Sequence, residues 1–347
     1  MDESDLLAGA RNCVIDCAQV GSGARVSIVN ETGTEGGVVE AIAETAREAG
    51  AEVEIVWAEP YAKADPAAVI PQNIFNAFRD ADILVNHYPS LSRVELQNHF
   101  PSEARVRVPN RATTGALLGS SWARFPYSLQ MAVSDVLDDA MAPGRCWRIT
   151  SPGGTDLRGR FVEADSPLAQ AYFQTDEDNN RARRNFPGGV HMPRISTAIN
   201  GVLVAEYVDG APADMAPVRL TINDGRVVHV EGGDPEGRAR ARVLQSDGHI
   251  DSWHSGINPK TIVPVERLAN PRKWYSYAHC SPRMVHFHLG RTHATINVGC
   301  LNQTLEVEDQ PIYIGGALAE LRDPRIEDMI ARHGLNADIL RTETIPM

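Results

Sequence analysis

Three histidines fall within eight residues, His286, His288 and His293, inside the stretch RMVHFHLGRTHATINV, Arg283–Val298. Read with a period of two, the stretch is a hairpin. His286 and His288 share one face of its first strand, and Val285, Phe287 and Leu289 share the other. Gly290 and Arg291 fall where a turn belongs. In the second strand His293, Thr295 and Asn297 face one way, against Ala294, Ile296 and Val298. A solvated strand face carries Lys, Glu and Thr. A face of imidazoles instead offers lone pairs that can converge on one divalent ion, or a set of proton carriers. The plain alternative is a half-buried sheet whose histidines only hydrogen-bond.

Other side chains carry fainter signals. Arg160 and Arg291 have the planar fork that grips a substrate carboxylate through two parallel bonds. Trp253, Trp274, Tyr275 and Tyr277 suit an aromatic lid over a flat ligand, or ordinary packing. The five cysteines, Cys13, Cys17, Cys146, Cys280 and Cys300, form neither a zinc-ribbon spacing nor a disulfide framework. They read as small buried hydrophobes in a reducing cytoplasm. Ser120-Ser121 and Cys280 lack the flanking pattern of an activated nucleophile, so covalent catalysis has little support.

Two kinds of architecture must position these residues. Arg25–Val29, Glu52–Trp57, Asp82–Asn86 and Arg105–Val108 are short apolar strands. They alternate with helical patterns over 4–19, Val38–Ala49, Pro71–Arg79 and Ser128–Met141. That alternation predicts an α/β domain with an open doubly wound sheet over residues 1–145. Past Pro143 the pattern changes to short strands punctuated by Gly, Pro and Asp. Examples are Trp147–Thr150, Gly201–Tyr207, Val218–Ile222 and Arg226–Val230, the last two joined by the hairpin turn Asn223-Asp224-Gly225. Residues 146–347 therefore read as a β-rich α+β domain, with helices at Arg238–Leu244 and Asp323–Arg332. Eight of the eleven histidines lie between His191 and His293, within this second part.

With 347 residues there is room for two cores of ordinary size. The net charge of −12 argues against nucleic acid or an anionic membrane as partner, and no apolar run reaches spanning length. A small-molecule substrate remains. A homo-oligomer is expected, since a neighbouring copy often closes the cleft of a two-domain enzyme.

Several phrases of the second half, taken in order, resemble one family: GGTDLRGRF (Gly153–Phe161), NFPGGVHMP (Asn185–Pro193), NGVLV from Asn200, SWHSGINP (Ser252–Pro259), VHFHLG (Val285–Gly290) and TLEVEDQPI (Thr304–Ile312). They look like the metal-dependent aminopeptidases of the thermophilic (aminopeptidase T) type. They look closer to that family's oxygenase branch, the 2,5-dihydroxypyridine 5,6-dioxygenases. The resemblance covers roughly residues 20–320 and implies the same α/β-then-β layout.

Carried over residue by residue, the family's ligand set is largely replaced. The position of the first peptidase glutamate holds Val190, and that of the second, a histidine in the dioxygenases, holds Ser252. The histidine before the HxALG-like turn is His286. The late His-x-Asp pair falls on Thr295 and Asn297. Yet His191 adjoins Val190, His254 lies two beyond Ser252, and His293 lies two before Thr295. A shift of two along a strand keeps the face. The resemblance thus implies a rewired metal site of His254, His286 and His293, with His191, His288 and Glu163 as proton-handling groups. Arg160, Arg291, Trp253 and Asn297 would contact substrate. Fe(II) is favoured by the resemblance, and three neutral imidazoles equally satisfy Zn(II) or Mn(II). The activity implied is ring opening of a small aromatic or N-heterocyclic compound. Metal-dependent amide or aryl-amine hydrolysis is the alternative, as is a metal-free enzyme or binding protein on the same fold.

Overall fold

The computed structural model describes residues 2–59, 71–88, 106–163, 166, 184–209, 211, 215–261, 278–289, 296–319 and 322–342. The chain divides into two compact units, 1–128 with 173–188, and 129–172 with 189–347. The division expected at residue 145 differs from this one in two stretches: 129–145, with most of the helix Tyr127–Met141, belongs to the second unit, and 173–188 belongs to the first.

In the first unit β1 (Arg25–Glu31), β2 (Glu52–Ala58), β3 (Ile83–His87) and β4 (Val106–Pro109) form one parallel sheet in the order β2-β1-β3-β4. Successive strand residues point to opposite faces, and both faces are covered. Val26, Ile28, Ile83, Val85 and Val108 pack in one apolar cluster with the helix Gly36–Glu48. Val29, Val56 and Leu84 pack in another with the helix Gln72–Asp80. Helices on both faces make the sheet doubly wound, as the apolar runs predicted. The first helix departs from expectation: it is α-helical over Glu3–Arg11 and π-helical over Asn12–Cys17. There Asn12 donates to the carbonyls of Ala123 and Phe125, and Asp16 accepts from Ser128. These tertiary bonds hold the wider turn.

The second unit begins with β5 (Cys146–Thr150), β6 (Asp156–Phe161), β7 (Val190–His191), β8 (Ser196–Ala205), β9 (Tyr207–Val208), β10 (Val218–Asn223) and β11 (Arg226–Gly232). It continues with β12 (Ile250–Gly256), β13 (Met284–Leu289), β14 (Ile296–Leu301), β15 (Thr304–Val307), β16 (Gln310–Ile314) and β17 (Ala317–Leu318). An eight-stranded antiparallel sheet runs β11-β10-β8-β6-β5-β15-β16-β17, and a five-stranded one runs β7-β12-β13-β14-β9. Asp224 and Gly225, both at positive φ, make the two-residue turn between β10 and β11. The later helix starts earlier than expected, at Pro235, because Asp234 caps it by accepting from the Gly237 N–H.

The two sheets meet through aromatic rings. Trp147 of β5 lies edge-on to Trp253 of β12 at 5.7 Å, and Phe161 of β6 is 6.3 Å from the same indole. The Ser255 hydroxyl donates to Tyr313 Oη at 3.0 Å within the same layer. Trp147 also lies over Gly159, where a Cβ would stand 2.3 Å from its ring, and its indole N–H donates to Ser196. No helix among the described residues is long and apolar enough to cross a membrane.

Candidate metal centre

Strand register decides which side chains reach the site. On β12 the alternation sends Trp253 and Ser255 into the layer between the sheets, so Ser252 and His254 face outward. On β13 Val285, Phe287 and Leu289 are buried inward, and His286 and His288 face the other way. The antiparallel pairing sets Trp253 against Phe287, His254 against His286 and Ser252 against His288. On the far side of β13, Asn297 lies opposite His288 and Gly299 opposite His286.

The result is a cluster of imidazoles. The rings of His254 and His288 are 4.3 Å apart, those of His254 and His286 5.0 Å, and those of His286 and His288 5.3 Å. One nitrogen from each lies within 4.8 Å of the other two. His254 and His286 are almost fully buried, and His288 is half-buried. A fourth ring, His279, stands 5.8 Å from His286, and its Nε2 is 3.7 Å from the Cys280 thiol. Gly256 makes this possible. A Cβ there would sit 2.1 Å from the Ser281 carbonyl oxygen, so the turn carrying His279 rests directly on the end of β12.

Burial holds the His254 imidazole neutral, with its pKa well below the ordinary histidine value. The nearby His288, His191 and His279 rings push in the same direction. Its Nε2 is buried and has no hydrogen-bond partner among the described residues. An unpartnered buried nitrogen is costly in a dry site and is satisfied by a cation. Three neutral imidazoles within this span fit a divalent ion of the Zn(II), Fe(II) or Mn(II) type.

The structure sorts the residues singled out in sequence. His254, His286 and His288 come together, and Asn297 borders them. His191 is buried but pairs in register with Ser255 rather than His254, and its Nε2 lies 2.8 Å from Asp138 Oδ1. Trp253 is not a lid. It is fully buried between the sheets, on the face of β12 opposite His254. Arg160 is not with the imidazoles either, because it is paired with Cys146 on the outward face of the eight-stranded sheet. Glu163 is largely exposed and pairs with Arg145 at 3.6 Å. Cys146 is exposed, unlike the other four cysteines, which are buried as expected. Arg291, His293, Trp274, Tyr275 and Tyr277 lie outside the described residues. Sequence reading missed His279 and Asp138. Nothing in the spacing marks either one.

These features define a class: an α/β unit with a parallel sheet, a β-sandwich unit, and a buried imidazole cluster on the outer face of one sandwich sheet. Two solved structures share the fold. One is the 2,5-dihydroxypyridine dioxygenase of Pseudomonas putida KT2440, with a TM-score of 0.63, 14% identity, and coverage of 91% of this chain and 97% of that one. The other is AmpT of Thermus thermophilus, with a TM-score of 0.55, 12% identity, and coverage of 91% and 99%. No family model matches the chain, and no curated protein matches it in sequence. The kinship suggested by the motifs therefore holds at the level of fold.

Proposed function

We propose that the chain is a metal-dependent enzyme that opens the ring of a small hydroxylated aromatic or N-heterocyclic compound. His254, His286 and His288 would hold the ion, with Fe(II) favoured. The observation that carries this reading is the convergence of three imidazole nitrogens within 4.8 Å of one another, with the buried Nε2 of His254 unpartnered among the described residues. The dioxygenase fold adds support, and its name supplies the first substrate to try.

When bound, the ion would supply Lewis acidity and adjacent open positions for substrate and dioxygen. The chain's own contribution follows from the geometry. Three neutral imidazoles bring no negative charge, so the site selects an anionic, oxygen-bearing substrate to balance the ion. The inward row of Val285, Phe287 and Leu289 fixes the strand that carries two of the three rings. Asn297, opposite His288, offers both a donor and an acceptor to a ring heteroatom. His191, oriented by Asp138, can hold a proton beside the cluster. The five unpaired cysteines suit a reducing cytoplasm. A homo-oligomer belongs to the same reading and is checked by light scattering.

Elemental analysis of anaerobically purified protein, with oxygen uptake on 2,5-dihydroxypyridine, tests the reading. About one equivalent of iron with substrate-dependent uptake supports it. Zinc or manganese without uptake supports a hydrolase. A folded, active, metal-free protein rejects both. In the same assay His254→Ala and His286→Ala should each lose the ion with an unchanged far-UV spectrum, and full occupancy in both would reject this ligand set.

A further inference from the structure

The outward face of the eight-stranded sheet carries a hollow of about 500 Å³, on the side of the sandwich away from the imidazoles. Its floor is a β-bulge. Arg158 pairs with Asn200 and Arg160 with Thr197, so β8 spends one more residue than β6 over this interval. Ala198, within the bulge, has φ +49°, a left-handed conformation that a residue with a Cβ adopts at a cost. Such strain persists where the surrounding structure holds it, and it recurs at binding sites.

The charges around the hollow are unevenly used. Arg148 is committed to Asp156 through two bonds of 2.9 Å, and Arg158 reaches the same carboxylate only at 3.8 Å. Among the described residues, Arg160 makes no hydrogen bond or ion pair, and the Glu308 carboxylate, which accepts from the Arg145 and Cys146 N–H groups, feels its charge from across the hollow. Across β5, Glu306 and Asp309 make no hydrogen bond or ion pair among the described residues, and both lie near enough to Arg148 to act on its charge. The register aligns Glu306, Arg148 and Arg158 in one row across β15, β5 and β6. Two strand spacings separate the cationic edge from the acidic edge, about 9.6 Å between backbones.

We propose that this hollow is a second small-molecule site that takes an elongated zwitterion. The carboxylate end lies on the Arg160 and Arg158 guanidiniums, and the ammonium end lies on Glu306 and Asp309. A guanidinium fork receives a carboxylate through two parallel bonds, which a lone water cannot match. A plain anion would meet the acidic edge of Glu306, Glu308 and Asp309, and a plain cation the guanidiniums of Arg158 and Arg160. Only a molecule with both poles, several ångströms apart, satisfies both edges.

Cys146 lines the hollow, pairs with Arg160 in register, and is the one exposed cysteine of the five. Its alkylation by iodoacetamide, followed by mass spectrometry on the intact chain, therefore reports occupancy. 6-Aminohexanoate is the probe. At about 20 mM it should slow alkylation about fivefold, as mass action gives for a Kd of about 5 mM. Glycine, hexanoate and hexylamine, each lacking the span or one pole, should not. Arg160→Gln should remove the protection, and Glu306→Gln with Asp309→Asn should remove the advantage of 6-aminohexanoate over hexanoate. Absence of saturable protection, equal protection by hexanoate in the parent chain, or protection surviving Arg160→Gln would overturn the proposal. The comparison of the four small molecules needs no variant, so a substitution that impaired folding would not shield the idea.

Discussion

His87 gives the parallel-sheet unit a pH dependence whose size follows from its surroundings. The ring ends β3, is completely buried, and bonds through Nδ1 to Asn30 Oδ1 of β1 at 2.9 Å, while Nε2 is buried with no partner among the described residues. Burial pushes its pKa down from 6.5 to about 3. The folded state therefore refuses a proton that the unfolded chain accepts. The stabilisation is fully present above pH 6.5 and is lost progressively as the pH falls toward 3. At pH 4.5, two pH units below the unfolded value, the loss is roughly 2.7 kcal/mol, or about a hundredfold in the unfolding equilibrium. The perturbation is His87→Gln, which keeps a polar side chain but cannot titrate. The assay is the urea midpoint of the peptide carrying β3, read by hydrogen-exchange mass spectrometry at pH 7.5 and 4.5. Following one peptide avoids assigning a single free energy to a two-unit chain. Between the two pH values the parent should lose roughly 2–3 kcal/mol more than the variant. Parallel losses within about 0.5 kcal/mol would mean that the buried ring is not held neutral, and the reasoning would fail.

Three further outcomes are expected. Gly159→Ala should destabilise the sandwich by about 1–3 kcal/mol, because its Cβ would meet a Trp147 ring anchored by Ser196 and Trp253; an unchanged melting temperature would contradict the packing described. Trp253→Ala should cost about 3–5 kcal/mol in chemical denaturation. The less disruptive Trp253→Phe should keep the bound metal, and loss of the ion from folded Trp253→Phe protein would restore the indole to the site. Glu163→Gln should leave metal content unaltered by elemental analysis, since that carboxylate faces solvent and Arg145.

The hairpin was legible because its two faces differ so sharply. Val285, Phe287 and Leu289 could only face a core, which left the imidazoles on the other side. β12 was harder. In Ser252–Gly256 polar and aromatic residues alternate, so the sequence does not say whether Trp253 or His254 faces the ligand; the position of the second sheet settles it. Arg160 was misplaced for a related reason, because the motif before it resembles the family while its strand belongs to the other sheet. His279 sits in a turn with no period to reveal it. Asp138 comes from a helix more than fifty residues before His191, and only the folded chain joins them.

One sheet of the sandwich has two unlike sides. Its inner rows interlock with the neighbouring sheet, while its outer rows carry Ser252, His254, His286, His288, Asn297 and Gly299. Mutations on the outer rows can change donor atoms without disturbing a single inner contact, so such a surface can be retooled one position at a time. A donor moved two places along its strand is the smallest such change, because it alters the reagent and spares the scaffold.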